Sequence, residues 1–579
     1  MEGTANTAVG RWLPGFLQVK SYQRKWLTED LVAGLVLSAL LVPQGMAYAE
    51  LAGLPPVTGL YTSMLCLLGY AVFGPSRILV LGPDSALGPM IAATILPLVG
   101  ANGNPARAIA LASLLAIFAG AIIAIGGIAK LGFIADLLSK PSILGYMNGL
   151  ALTILVGQLP KLLGFSIDVH GFIGQAREVV AGVIDGEVVA AAAAVGMGSL
   201  ALILILKRYV RKLPALLVVV VAATVVATVF GLGARGVHLV GPLPQGLPSL
   251  TIPSVAWADV LPVFAGALGI VLVTLTDTIS TSASFAERRD EEVDASQEMF
   301  GIGVANLAAG LFQGFPVSTS GSRTAVAEQS GAKTQLTGVV GAVVIALMLV
   351  ALPGLLRNLP QSALAAIVIA ASISLADIPA TRRLWSQSRA DFLISIAAFL
   401  GVVLLGVLTG IAVAVGISVA NVFRRTWWPH QATLGRVSGL RGFHDIRRHP
   451  DAEQLAGCVM YRFDAPLIFA NARTFRDQVR KCASTEPRPR WIIVEAEPIT
   501  DIDTTACDML EDLVTVLDRQ GTKLVFAEMK AHSRHKIVQY GLGKLFPDDR
   551  FFPTLRAAVS ACREELGERW VGLREEEQE

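Results

Sequence analysis

Long apolar runs constrain this 579-residue chain more than any other feature. Segments of about 17 to 25 apolar residues, the length that crosses a bilayer as a helix, recur from about residue 30 to residue 423. Only 16% of the residues are charged, and the mean hydropathy is +0.59. Residues 430–579 are mixed and charged. The pattern predicts a polytopic α-helical protein embedded in the lipid bilayer, followed by a soluble domain.

The apolar lengths and the helix breakers divide the membrane part into two sets of seven spans. The predicted spans lie near residues 31–53, 57–75, 81–100, 106–129, 139–163, 176–206 and 212–232, then near 260–285, 296–313, 316–332, 335–353, 360–378, 390–404 and 405–423. Lys and Arg collect on every second loop, as an even number of spans requires. We therefore expect 14 spans in the cell's inner (plasma) membrane, with both termini in the cytoplasm.

The third span of each set is interrupted at a matching place. The first contains SRILVLGPDSALGPMIAATI (76–95), with Gly-Pro where a helix should continue, and the second begins with GFPVSTSGSRTA (314–325), which contains Pro316. Proline removes a backbone donor and disfavours helix in the preceding residue. Paired interruptions indicate a transporter built as an inverted repeat, here about 30–235 and 258–425, with two half-helices that bind substrate near the midplane.

Arg323 lies inside the second interruption, although a charge at membrane depth is costly. A helix N-terminus presents unpaired N–H groups and a partial positive charge, and arginine never loses its charge. Two such N-termini with Arg323 predict an anion site. Two alternatives remain: the small residues around it serve helix packing, and Arg323 pairs structurally with Glu328 or another acid.

Composition argues against other classes of protein. A net charge of +2 gives no reason to expect a nucleic-acid partner, and no Walker loop or catalytic cluster indicates an enzyme. The five cysteines have no metal-ligand spacing, so a reducing, cytosolic C-terminal domain suits them.

Four motifs in order resemble the sulfate permease (SulP) family, which includes prestin. They are LVPQGMAYAELAGLPPVTGLYTS (41–63), GPDSALGPM (82–90), FQGFPVSTSGSRTAVAEQSGAKTQLTGVV (312–340) and YRFDAPLIFANARTF (461–475). The resemblance implies a fourteen-span fold of two intertwined inverted repeats divided into core and gate domains, a cytosolic STAS domain and a homodimer. It also implies transport of small anions such as sulfate, bicarbonate, chloride or dicarboxylates.

The resemblance further implies which residues flank the anion. The matching positions are Gln44, Tyr48, Asp84, Ser85, Ala86, Thr319, Ser320, Gly321, Ser322 and Arg323. Asp84 departs from family members that have a neutral residue there, because a carboxylate repels an anion. Either Asp84 caps the following helix, or it is protonated when the anion binds and makes transport proton-coupled.

Asp277 lies inside an apolar span, where an acid is a candidate for function. Thr281 falls four residues later on the same helical face. The pair matches positions that ligate sodium in the family's bicarbonate transporters, whereas other members carry an acid there and couple to protons. We expect sodium or a proton as coupling ion and no other cofactor. The alternative is that Asp277 is a structural partner of Arg323.

The C-terminal part alternates short β-rich runs with helical ones, which predicts an α/β domain. The predicted boundaries are an N-terminal cytoplasmic segment 1–29, a transporter domain 30–425, a linker 426–455, a STAS domain 456–570 and an acidic tail 571–579. Thr504 or Thr505 matches a phosphorylated residue of bacterial STAS proteins. The alternative is that Asp503 or Thr504 only caps the helix. A cytosolic regulator would bind here.

The sequence thus predicts a secondary active transporter of small inorganic anions, with sulfate as the default substrate, alternating access and cation coupling. Sodium-coupled bicarbonate transport and proton-coupled dicarboxylate transport are the alternatives within this class. Outside it, the alternatives are an uncoupled anion exchanger or channel, or a membrane-tethered signalling protein that uses STAS as its output.

Overall fold

The structure is a computed structural model that describes residues 12–100, 103–132, 139–167, 169, 171–210, 214–289 and 291–567. It divides into two compact units, Met1–Val419 and Ala420–Glu579. The first eleven residues of the predicted N-terminal segment and the predicted acidic tail 571–579 lie outside the described residues.

The first unit is helical. Its helices are α1 (Pro14–Lys20), α2 (Leu27–Leu51), α3 (Pro56–Phe73), α4 (Gly88–Val99), α5 (Pro105–Ile128), α6 (Lys140–Leu163), α7 (Phe172–Ile184), α8 (Ala190–Tyr209), α9 (Ala215–Val229), α10 (Trp257–Glu287), α11 (Ala295–Leu311), α12 (Gly321–Gln329), α13 (Leu336–Ala351), α14 (Gln361–Leu375), α15 (Ile378–Gln387), α16 (Arg389–Leu405) and α17 (Val407–Trp427), which ends in the second unit.

Each predicted span coincides with at least one of these helices. Within the described residues, eight helical segments are long and apolar enough to cross a membrane, and α4, α9 and α13 are shorter apolar helices. The predicted span 176–206 is two helices, α7 and α8, because the chain turns at Gly186, whose φ is 76°. The total of fourteen crossings stays a prediction.

The helices pack in two groups. One contains α2–α5 with α10–α13, and the other contains α6–α9 with α14–α16. Glycines allow backbones to touch inside each group: a Cβ on Gly59 would lie 1.9 Å from the Gly45 carbonyl oxygen, and one on Gly145 would lie 1.9 Å from that of Ser395. The grouping agrees with the predicted core and gate domains.

The two interrupted spans meet within the first group. Strand β1 (Leu81–Gly82) pairs antiparallel with β2 (Ser318–Thr319), with Leu81 opposite Thr319 and Gly82 opposite Ser318. Each strand is followed by a short helix, α4 or α12. The antiparallel pairing relates the two half-helices as an inverted repeat requires.

The second unit is an α/β domain around one sheet. Its strands are β3 (Gln431–Arg436), β4 (Phe443–Asp445), β5 (Cys458–Phe463), β6 (Trp491–Glu495), β7 (Lys523–Ala527) and β8 (Phe551–Phe552), and its helices after α17 are α18 (Ala472–Ala483), α19 (Thr504–Arg519), α20 (Ala531–Gln539) and α21 (Leu555–Leu566). The spatial order is β4-β3-β5-β6-β7-β8, and β5 to β8 run parallel. Both faces of β6 are buried, so apolar clusters lie on each side of the sheet.

Residues 426–455, predicted as a linker, differ from that prediction. They supply β3 and β4, and β3 pairs with β5 from Gln431 opposite Phe463 to Leu434 opposite Met460. The sequence does not predict β3, because this strand buries only Ala432, Leu434 and Gly435 between polar neighbours. The β-rich run PLIFA (466–470) does not form a strand of the sheet, since Leu467 makes only an isolated bridge to Ile502.

Candidate anion-binding site

Two half-helix N-termini and a buried arginine define the candidate site. After β2, the Ser320 N–H donates to the Val80 carbonyl at 3.1 Å. The Ser320 hydroxyl then accepts from the Arg323 N–H at 3.4 Å, which caps α12. Because the two strands pair, the helix that follows each one begins near the same ribbon. Such termini attract anions through their free N–H groups and partial positive charge.

Arg323 is 2% exposed and reaches across to the other interrupted span. Its Nη1 donates to the Pro83 carbonyl at 2.5 Å, and its Nη2 donates to the Gly82 carbonyl at 3.4 Å. The Nε is buried and has no acceptor among the described residues. The guanidinium therefore holds the two interruptions together and keeps a donor available.

Asp84 closes the turn that leads into α4. Its Oδ1 accepts from the Ala86 N–H at 2.8 Å, and its Oδ2 lies 4.0 Å from Arg323 Nη2. Helix α4 begins at Gly88, and no side chain caps it. The predicted helix cap is thus a cap of the preceding turn, because the chain makes one more turn before the helix starts.

Gln44 and Tyr48 approach from α2, four residues apart on one helical face. Tyr48 is 4% exposed, and its hydroxyl lies close to that of Ser85. The Gln44 Oε1 is buried and has no donor among the described residues. Three buried polar atoms of the predicted set, Gln44 Oε1, Thr319 Oγ1 and Arg323 Nε, therefore have no hydrogen-bond partner among the described residues.

Asp277 and Thr281 approach from α10. The Ser318 hydroxyl donates to Asp277 Oδ2 at 2.9 Å. A Cβ on Gly321 would lie 3.9 Å from Thr281 Cγ2, so Thr281 stands beside the start of α12. Both side chains are only partly buried. The structure thus brings the two predicted cation-coupling residues next to the second half-helix. There, their oxygen atoms are available as ligands for a cation.

Of the acids considered as structural partners of Arg323, Glu328 pairs with other arginines, whereas another acid, Asp84, lies near the guanidinium. Glu328 pairs with Arg289 at 3.4 Å and with Arg288 at 3.8 Å. Asp277 interacts electrostatically with Arg323, but its described hydrogen bond comes from Ser318, and the carboxylate within 4.0 Å of the guanidinium is that of Asp84. Thr319 is fully buried, whereas Ser322 is exposed and contacts Ser320 at 3.1 Å.

Three further polar side chains support this geometry, although the sequence does not predict them as site residues. Ser318 holds Asp277, Thr324 Oγ1 accepts from the Val80 N–H at 3.1 Å, and Asn306 forms two hydrogen bonds with the backbone of Val317. The sequence could have indicated Asn306, because a polar amide side chain inside the apolar helix α11 is a candidate for function. Nothing in the sequence distinguishes Thr324 and Ser318 from the other polar residues of the same run.

In the second unit, Asp503 caps α19. Its Oδ1 accepts from the Ala506 N–H at 2.8 Å, and its Oδ2 accepts from the Phe469 N–H at 2.7 Å. Thr504 and Thr505 are exposed in the first turn, so the capping role falls to Asp503 and both hydroxyls are accessible. Phosphorylation of either threonine stays a prediction.

An acidic group lies at the carboxyl ends of the parallel strands. Oxygens of Glu495, Glu497 and Glu528 lie within 4.8 Å of one another. Burial raises the pKa of Glu495 above its usual value. Lys530 pairs with Glu497 at 3.2 Å, and Arg462 lies 3.8 Å from Glu495. Two of these three carboxylates therefore have basic partners, and Glu528 accepts from the Leu555 N–H at 3.0 Å.

Comparison with protein families agrees with this architecture. Residues 27–398 match the sulfate permease family, and residues 449–558 match the STAS domain. A protein named probable sulfate transporter from Mycobacterium tuberculosis (strain CDC 1551 / Oshkosh) is 39% identical over 553 residues, which cover 95% of this chain and 98% of the relative. Sulfate transporter 4.1, chloroplastic, from Arabidopsis thaliana is 31% identical over 95% of this chain and 82% of its own length.

Solved structures show the same fold. A structure of SLC26A9 matches with a TM-score of 0.89 at 23% identity and covers 98% of this chain and 95% of the other. The transmembrane domain of the cyanobacterial bicarbonate transporter BicA matches with a TM-score of 0.59 at 23% identity, over 68% of this chain and 99% of that domain. The family predicted from four motifs is thereby confirmed: the chain belongs to the sulfate permease family and is a multi-pass anion transporter with a C-terminal STAS domain, not an enzyme.

Proposed function

We propose that this chain is a secondary active transporter that carries sulfate by alternating access, together with a proton or a sodium ion. Relatives that cover nearly the whole chain are named as sulfate transporters, which supports sulfate as the substrate. Small hydroxylated residues and helix N-termini around Arg323 suit a compact oxyanion, since they offer donors on several sides.

The charge count at the site is the observation that carries cation coupling. Arg323 supplies one positive charge, and the partly buried carboxyl groups of Asp84 and Asp277 interact with it. With both carboxyls ionised, the side chains sum to one negative charge before any anion arrives. A dianion would then enter a negative site of low polarity, which is costly. A cation at Asp277 or Asp84 removes that obstacle.

Of the two cations, the proton demands less of the site. One carboxylate oxygen holds a proton, whereas sodium needs several oxygen ligands. Asp277, Ser318 and Thr281 offer such oxygens beside the start of α12, and sodium therefore remains the alternative.

Other substrates and classes remain as alternatives. Sodium-coupled bicarbonate transport and proton-coupled dicarboxylate transport would use the same donors. An uncoupled exchanger or channel has no use for the carboxyl groups of Asp84 and Asp277. A signalling protein with STAS as its output would bind the anion without moving it.

The cellular arrangement follows from the charge pattern and the family. We place the chain in the inner membrane with both termini in the cytoplasm, and we propose a homodimer. The exposed Thr504 and Thr505 make the start of α19 the proposed contact for a cytosolic regulator.

Transport into proteoliposomes tests this proposal. The purified chain is reconstituted, and uptake of labelled sulfate, bicarbonate and fumarate is measured under an imposed pH gradient, an imposed sodium gradient or neither. We expect sulfate to accumulate above its external concentration only when the outside is more acidic. Accumulation under the sodium gradient alone would identify sodium, instead of the proton, as the coupling ion. Equilibration without accumulation under every gradient would point to an exchanger or channel, and no flux would point to a sensor.

A further inference from the structure

Glu298 is a buried carboxyl group outside the candidate anion site. It lies in the first turn of α11 and is 0% exposed. Its Oε2 accepts from the Tyr70 hydroxyl at 2.6 Å, and its Oε1 accepts from the Ser76 hydroxyl. No basic side chain among the described residues lies within ion-pairing distance of it. A buried carboxylate without a cation is costly, so this group is suited to carry a proton.

The cations around Glu298 are engaged elsewhere. Arg289 pairs with Glu328 at 3.4 Å and donates to the Ala332 carbonyl, and Arg77 lies 3.8 Å from Glu291. The other charged groups that face it are acidic: Glu291, Glu292 and Asp294, which caps α11. From α3 comes only the Tyr70 hydroxyl, and α5 approaches this end of α11 through Gly126 and Gly127. Among the described residues, the surroundings thus add negative charge, and the two arginines of the cavity are paired with other acids.

A small cavity gives Glu298 a route to water. Its volume is about 50 Å³, enough for a water molecule. Glu298, Ser76 and Ser282 line it together with Arg77 and Glu291. The side chains of Arg77 and Glu291 are 48% and 39% exposed, so the cavity continues to the surface. Since basic loops such as the one with Arg77 are predicted to be cytoplasmic, the cavity should open to the cytoplasm.

Helix α10 connects this cavity to the candidate anion site. Ser282 lies five residues after Asp277, which is about 7.5 Å along the helix axis. Between them, the Thr278 hydroxyl is buried and has no partner among the described residues. Thr278 and Ser282 are four residues apart and share a helical face. Hydroxyl groups therefore extend from the turn that carries Asp277 to the wall of the cavity.

We propose that Glu298 is a second proton-binding site, through which the coupling proton leaves Asp277 for the cytoplasm. In each cycle Asp277 loses one proton and becomes ionised, ionised Glu298 gains that proton and becomes neutral, and Glu298 then releases it to cavity water. The inference rests on the proton-coupled form of the proposed function.

The substitution Glu298→Gln tests it, because the amide has nearly the same shape and keeps an acceptor oxygen for one of the two hydroxyls, but it cannot carry the proton. Reconstituted protein is assayed for sulfate accumulation under a pH gradient, for sulfate exchange without a gradient and for thermal stability. We expect exchange within about twofold of wild type and accumulation reduced at least tenfold. Glu291→Gln, which alters an exposed acid of the same cavity, should accumulate normally.

Two results separate this inference from the proposed function. Wild-type accumulation that follows the pH gradient, together with normal accumulation by folded Glu298→Gln, would overturn the role of Glu298 alone. Wild-type accumulation that ignores the pH gradient would overturn both this inference and the proton-coupled form of the proposed function. If Glu298→Gln does not fold, Tyr70→Phe keeps the carboxyl and removes one donor. That variant must shift the dependence of accumulation on internal pH, and an unchanged dependence would refute the inference.

Discussion

Arg323 combines two tasks in one side chain. Its Nη1 and Nη2 donate to backbone carbonyls of the opposite interruption, while Nε stays buried without an acceptor. The first task joins the two repeats beside the paired strands β1 and β2. The second leaves a charged donor beside the hydroxyls of α12, and the planar five-donor guanidinium is the group that can do both.

Two substitutions of Arg323, to alanine and to lysine, should therefore reduce sulfate transport to different extents. Arg323→Ala removes the charge and the donor, and we expect the initial rate of sulfate uptake to fall at least tenfold. Hydrogen bonds to charged groups contribute about 1.5 to 3 kcal/mol. Arg323→Lys keeps the charge and should fall between wild type and Arg323→Ala. Uptake is measured in proteoliposomes on protein that elutes as a single folded species in size-exclusion chromatography.

Arg288 provides a matched control. Its side chain is 59% exposed, and its Nη1 lies 3.8 Å from the nearest oxygen of Glu328, which makes a weak surface ion pair. Arg288→Ala should transport at the wild-type rate. Wild-type uptake by a folded Arg323→Ala protein would remove Arg323 from the anion site.

The sequence pointed to these side chains because charged residues in apolar runs stand out. Arg323 and Asp277 were found in this way, Asp84 was found through the family resemblance, and the structure brings the three together. The acceptors that Arg323 finds within the chain were not foreseeable, since the carbonyls of Gly82 and Pro83 lie about 240 residues away in the sequence. Nor did sequence distinguish Glu328 from Asp84 as the acid nearest to Arg323, because ion pairs depend on tertiary distance.

Among the helices, glycine contacts determine how closely the spans pack. Helices α2 and α3 cross where Gly59 meets Gly45, and α6 and α16 touch where Gly145 meets Ser395. Small residues at such crossings are the usual means of helix association in membranes, where the hydrophobic effect does not drive it. The half-helix α12 depends on this packing because its short length leaves it little stability of its own.

The crossing of α2 and α3 gives a stability prediction. In Gly59→Ala the new methyl group would lie 1.9 Å from a backbone oxygen, so the helices must separate. We expect a loss of about 1 to 3 kcal/mol, the usual cost of overpacking. Gly198 in α8 has nothing within 4 Å of the corresponding position, so Gly198→Ala should stabilise the protein by about 0.5 to 1 kcal/mol.

Thermal unfolding of the detergent-solubilised full chain measures both variants. The midpoint should fall for Gly59→Ala and rise slightly for Gly198→Ala. Equal midpoints for the two variants would contradict the close helix crossing.

Most helices were predictable because apolar length and breakers are local signals. The departures have physical causes. A polar Asp-Gly-Glu turn divides one predicted span into α7 and α8, and β3 was hidden because a strand with three buried residues resembles a polar segment. The β1–β2 ribbon could be suspected from the paired interruptions, but its register is set only when the two repeats meet.

For the chain as a whole, the two groups of helices provide the parts that alternating access requires. Both half-helices, Arg323 and the carboxyl groups belong to the first group, so the site would move with that group as one body. The Lys161 ammonium of the second group donates to the Glu50 carbonyl of the first at 3.3 Å. Few polar contacts of this kind join the groups among the described residues, which suits relative motion in the transport cycle.

Cation coupling through the anion site is the central claim, and Asp277→Asn tests it most directly. Asparagine keeps an oxygen that accepts from Ser318 but removes the negative charge and the proton site. Reconstituted wild-type and variant proteins are compared for sulfate accumulation under an acidic external pH and for sulfate exchange without a gradient. We predict that wild type accumulates sulfate above equilibrium, whereas Asp277→Asn exchanges sulfate and only equilibrates it. Accumulation by Asp277→Asn to the wild-type level, with the same dependence on the pH gradient, would contradict the account.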